Sequence, residues 1–70
     1  MQEELEIEKD VSARQMARTL RRIADAIERS EGFAIQINNE RIRVPATARI
    51  SIVHECEDGA NELEFQFTWE

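Results

Sequence analysis

From Glu62 to Trp69, apolar and polar residues alternate without a break: Leu63, Phe65, Phe67 and Trp69 against Glu62, Glu64, Gln66 and Thr68. Successive side chains of a strand point to opposite faces, so this run predicts a strand with one apolar and one wet face. Such a strand belongs in a sheet covered on one side only. The same period recurs in Glu4-Leu5-Glu6-Ile7-Glu8, which predicts a first strand over 4–9 with Leu5 and Ile7 inward. It recurs again at Phe33, Ile35 and Ile37, at Ile42 and Val44, and over 48–56 with Ile50 and Ile52 inward. Asn38-Asn39-Glu40 reads as a turn, and Asp58-Gly59 as a tight hairpin, because these residue types accept the positive φ such turns need. Pro45 has no backbone donor and ends its strand or marks an edge.

Between the first two strands the period changes. Met16, Leu20, Ile23 and Ile27 fall at i, i+4, i+7 and i+11, one stripe of a helix over 13–30. Ser12 with Gln15 three residues later is a capping box. Ala13, Ala17 and Ala24 flank the stripe and let the helix lie close to a sheet. Gly32, just past the last apolar position, reads as the left-handed stop. The order is β-α-β-β-β-β. It predicts an α+β two-layer sandwich, one helix packed on one face of a five-stranded, mostly antiparallel sheet. The last four strands form an antiparallel meander because their connections are short. The first strand has two candidate places. Beside the last strand it would be antiparallel, with glutamates against glutamates; beside the second it would be parallel, through a right-handed crossover.

A short acidic strand, a Ser-capped helix and an amphipathic last strand ending in Trp together resemble the amphi-Trp domain family. The matching pieces are Ser12-Ala13-Arg14-Gln15-Met16-Ala17 with Leu20, Ile23-Ala24, Ile27 and Gly32, and then Glu62 through Trp69. The resemblance runs along nearly the whole chain and implies a single domain over 1–70. It implies no assigned activity, so no catalytic or ligand residues carry over from it. One departure is Asn38-Asn39, where the family leads one to expect a glycine.

Size sharpens the picture. A chain of 70 residues buries only about 60% of its unfolded surface and depends on good patterning, staples or association. Cys56 is the single cysteine, which excludes an intramolecular disulfide and fits a reducing compartment. No apolar run approaches the roughly 18 residues of a membrane span, and no signal peptide precedes the first strand. The expectation is a soluble, cytoplasmic protein. The net charge of −6 is unevenly spread: residues 11–30 carry five bases and two acids, whereas residues 55–70 carry six acids and no base.

Two surfaces are candidates for binding. Arg14, Arg18, Arg21, Arg22 and Arg29 lie opposite the apolar helix stripe, with Asp25 among them. The Arg14–Arg18 and Arg18–Arg22 pairs each cost about 0.2–0.5 kcal/mol, which the chain tolerates without neutralising the row. A solvated helix face explains the row most simply; as a site it would dock an acidic protein or phosphates. The wet back of the sheet, with Arg41, Arg43 and Arg49 as anchors, is the other. His54 and Cys56 share one face of a strand, but zinc wants three or four ligands and the chain holds no second Cys or His. Trp69 continues the parity of the core face and is expected to close its edge. No phosphate loop, nucleophile elbow or metal-protease helix is present. The sequence therefore reads as a non-catalytic interaction module that needs no cofactor or metal. Its partner would be an acidic protein or a second copy, with no membrane contact. Nucleic acid is the alternative partner; it is disfavoured because no aromatic interleaves the arginines and the net charge has the wrong sign.

Overall fold

A computed structural model describes residues 6–70. Its elements are α1 (Ala13–Glu28), β1 (Phe33–Ile37), β2 (Glu40–Val44), β3 (Arg49–Glu57) and β4 (Ala60–Thr68).

The helix begins where its sequence says it should. Ser12 is extended (φ −72°, ψ 161°). The Gln15 N–H donates to Ser12 Oγ at 3.1 Å, and the Ser12 N–H donates to Gln15 Oε1 at 3.0 Å. Two orphan donors at the helix start are thus satisfied. Its end differs from expectation. The Ser30 N–H donates to the Ile27 carbonyl (3.1 Å) and the Glu31 N–H to the Ala26 carbonyl (2.9 Å). This is a Schellman closure with Ser30, at φ 55°, in the left-handed position. Gly32 is not the stop. It is demanded by proximity: a Cβ there would stand 2.7 Å from the Val44 carbonyl oxygen.

Each hairpin closes on a two-residue loop. β1 pairs antiparallel with β2 from Phe33↔Val44 to Ile37↔Glu40, with Asn38 at φ 55°. β3 pairs with β4 from Arg49↔Thr68 to Glu57↔Ala60. At its tip Asp58 (φ 51°) and Gly59 (φ 81°) both take the positive φ of a type I′ turn.

The single five-stranded sheet is not formed. The two hairpins are separate two-stranded sheets, and β2 does not pair with β3. Pro45 offers no donor to extend β2. The Ala48 N–H donates to the Pro45 carbonyl at 3.1 Å, closing a turn that sends β3 away from β2. Nor is there a strand before the helix among the described residues: 6–12 have no regular structure, while Glu4 and Leu5 lie outside them. Beside β4, Glu6 and Glu8 would have met Glu62 and Glu64, and like charges opposite one another destabilise a ladder. The segment is held instead by Lys9 Nζ donating to the Gln36 carbonyl at 3.1 Å.

The core is correspondingly slight. Among the described residues only Ala26 and Val44 count as buried hydrophobics. The helix uses one flank of its stripe: Thr19, Ile23 and Ala26 are covered or half-covered, while Met16, Leu20 and Ile27 are exposed. The β3–β4 hairpin is packed only at its root. There the rings of Phe33 and Phe67 meet edge to face with centroids 5.1 Å apart, and Ile27, Pro45, Ala48 and Ile50 line the same small cavity. Beyond the root the hairpin stands free as an arm. Ile50, Ile52, Leu63 and Phe65, all expected to point into the core, are exposed, as is Trp69.

Candidate functional site

The arm carries the most distinctive surface. Its register sets Ile50 opposite Phe67, Ile52 opposite Phe65 and His54 opposite Leu63. Directly opposed residues share a face, so these six side chains form one surface about two residues wide. Ile52 is 69% exposed, Leu63 67% and Phe65 55%. Nine residues per strand give the arm a length of about 30 Å. Monomeric proteins seldom leave large apolar side chains in water side by side. Sequence reasoning assigned these residues to the interior. The alternation identifies a dry face but does not say what dries it.

The opposite face of the arm is acidic. Glu55 lies directly across from Glu62, and Val53 from Glu64. The carboxylates of Glu55, Glu62 and Glu64 come within 4.8 Å of one another. Ser51 Oγ donates to Gln66 Oε1 at 3.4 Å, and Gln66 Nε2 donates to Glu64 Oε2 at 2.8 Å. Hard oxygen ligands at such spacing suit a divalent cation, but the cluster is open to solvent and no buried group is aimed at it.

The eight arginines singled out from the sequence are all exposed. Arg14, Arg18, Arg21 and Arg22 lie along α1, Arg29 caps its C-terminal end, Arg41 and Arg43 are on β2, and Arg49 is on β3. The structure draws three of them together: Arg22, Arg29 and Arg41 line one open groove of about 310 Å³, with Asp25 and Glu31 beside them. Arg14, Arg18, Arg21, Arg43 and Arg49 do not line it. None of the side-chain hydrogen bonds found among the described residues uses an arginine. Arg22 and Arg29 are seven apart and share a helix face by periodicity; Arg41 joins them through the fold.

His54 and Cys56 do not form a centre. His54 Nε2 lies 2.8 Å from Asn61 Oδ1. Cys56 is exposed. Among the described residues no helix is long and apolar enough to cross a membrane.

Among known protein families, the model described as the Amphi-Trp domain fits residues 1–70. No curated protein and no solved structure matches the chain.

Proposed function

Since the chain belongs to the Amphi-Trp domain family along its whole length, and that membership carries no activity with it, we propose a function from its surfaces: a non-catalytic protein-interaction module whose working face is the apolar side of the β3–β4 arm. The observation that carries this reading is the exposure of Ile52, Leu63 and Phe65 side by side on one face. Leaving them in water forgoes about 1.5–3 kcal/mol for each large side chain that burial would return. A partner surface that covers them returns it.

A photo-reactive benzoylphenylalanine at position 65, with the same group at position 18 as a control, tests the reading in cells that express the full chain. Protein adducts at 65 and none at 18 are expected. Adducts at 18 alone would move the work to the arginine face. No protein adduct at either position would end the reading.

A second reading has its own observation. Arg22, Arg29 and Arg41 around one groove suit an acidic protein segment or the phosphates of a nucleic acid. Asp25 and Glu31 line the same groove and reduce its net charge to that of a single base, and the whole chain is acidic at −6. For nucleic acid the reading requires binding at low salt, falling steeply as salt rises. Substituting Arg22→Glu and Arg29→Glu would abolish it.

A further inference from the structure

Among the described residues the arm is one of two uncovered apolar surfaces on the regular elements. The other is the flank of α1 that the β1–β2 hairpin leaves open, where Leu20 and Ile27 are 40% and 43% exposed, with Met16, 46% exposed, at its edge beside Ile35 and Ile37. At 16 residues the helix is about 24 Å long, against about 30 Å for the arm. The chain thus presents a strand pair with a dry face and a helix with a dry flank, of similar length. It brings the two together only at the root, around Ile27, Ile50 and Phe67.

We propose that the occupant of the arm is a second copy of this chain: the β3–β4 hairpin of one copy lies along the Met16–Leu20–Ile27 flank of α1 in the other, reciprocally. The proposal rests on the reading of the arm as a protein-binding face and names what it binds. Three further observations support it. The first is area. The chain exposes 6669 Å², whereas a compact protein of this mass exposes about 4,500 Å². The excess, about 2,000 Å² per chain, includes the exposed irregular segment 6–12 and leaves room for the roughly 800 Å² per partner that a stable complex buries. The Cα radius of gyration, 13.7 Å, against about 11 Å for a compact chain of this length, says the same. The second is the hinge. The arm is joined to the rest by Pro45 to Ala48, outside any strand. Short connectors that hold an element off its own domain are the usual setting for exchange between copies. The third is charge. The distal half of the arm and the C-terminus, 55–70, carry six acids and no base, while 11–30, which includes the helix, is net basic. Encounter between the arm of one copy and the helix of another is therefore attractive over about a Debye length. A two-fold arrangement satisfies both surfaces in both copies and leaves none over, so assembly closes at two.

The test uses the full chain. Sedimentation equilibrium should give twice the 8.2 kDa chain mass. In a mixture of isotopically labelled and unlabelled protein, filtered nuclear Overhauser spectra should connect the Phe65 ring of one copy to the Leu20 methyls of the other. Ile52→Lys with Phe65→Lys should halve the mass and lower the melting temperature, because both side chains are more than half exposed within one chain and the second copy is what covers them. A dimer without Phe65–Leu20 contact between copies overturns the arrangement. A monomer whose Phe65 is broadened by a soluble nitroxide overturns self-association and leaves protein binding by the arm intact. A monomer with Phe65 shielded against its own Leu20 overturns both.

Discussion

Replacing Gly32 by Ala should cost this chain a sizeable part of its stability, and replacing Ser30 by Gly should add to it. At position 32 the new Cβ would stand 2.7 Å from the Val44 carbonyl oxygen, 3.4 Å from the Ala46 nitrogen and 3.5 Å from Pro45 Cα. All three are backbone atoms of the β2 end and the hinge, so no side chain can swing away. Forcing a methyl into such a space costs about 1–3 kcal/mol. For a domain of this size 1 kcal/mol corresponds to about 4–8 °C, so Gly32→Ala should melt roughly 8–16 °C below the parent if the cost is near 2 kcal/mol. At position 30 a serine occupies φ 55°. A residue with a Cβ pays a steric penalty in that region that glycine does not, partly offset by the greater freedom glycine has when unfolded. The net gain for Ser30→Gly is about 0.5–1 kcal/mol. Thermal circular dichroism at one fixed protein concentration reads both, since any association would make the midpoint concentration-dependent. A Gly32→Ala variant melting within about 2 °C of the parent would show that the backbone there has room. A Ser30→Gly variant no more stable than the parent would show that the helix does not close at Ser30.

Two other substitutions probe local terms. Ser12→Ala removes the acceptor for the Gln15 N–H and should lower the urea-derived stability by about 1 kcal/mol, with Ser12→Asp restoring most of it; equal midpoints for Ser12→Ala and the parent would contradict the cap. Glu62→Gln relieves the charge directly opposite Glu55 and should stabilise the arm by about 0.2–1 kcal/mol at low salt, with the advantage shrinking as salt screens it. An advantage that does not change between low and high salt would assign the effect to something other than repulsion.

What the sequence made legible was local. The capping box, the helix and the Asp58-Gly59 turn each depend on residues a few positions apart and are present, although the helix ends at Glu28 and only Ile23 of the stripe is half-buried. What it did not make legible was how the pieces meet. Alternation at Ile50, Ile52, Leu63 and Phe65 marks one side of a hairpin as dry, and a single sheet under one helix was the simplest way to dry it. One sign against that sheet was in the chain. The runs around Ile50 and Phe65 extend further than those around Phe33 and Ile42, and strands of nine residues cannot pair along their length with strands of five. The other sign was Pro45, read as a strand end and now seen to begin the hinge. Gly32 was misread because a glycine after a helix has two physical uses, a left-handed backbone and a close approach. Only the position of Val44 decides between them. Of the arginines, periodicity relates Arg22 to Arg29; nothing in the local sequence brings Arg41 to them.

The slight core and the exposed arm are two descriptions of one fact. A chain whose buried hydrophobics among the described residues are Ala26 and Val44 alone has little to set against the conformational entropy of about 1–2 kcal/mol for each ordered backbone residue. The side chains that would make up the difference are Ile52, Leu63 and Phe65, and they are the ones a partner would cover. If a partner seats on the arm, folding and binding draw on the same contacts, and stability depends on that partner's concentration. This separates the two candidate surfaces. Arginines on a solvated helix can be lost with little effect on the fold, and a partner held there would leave the stability of the arm unchanged. A partner held by the arm would raise the melting temperature of the whole chain with its own concentration. If that partner is a second copy, the midpoint rises with protein concentration alone, and it stops doing so once Ile52 and Phe65 are made lysine.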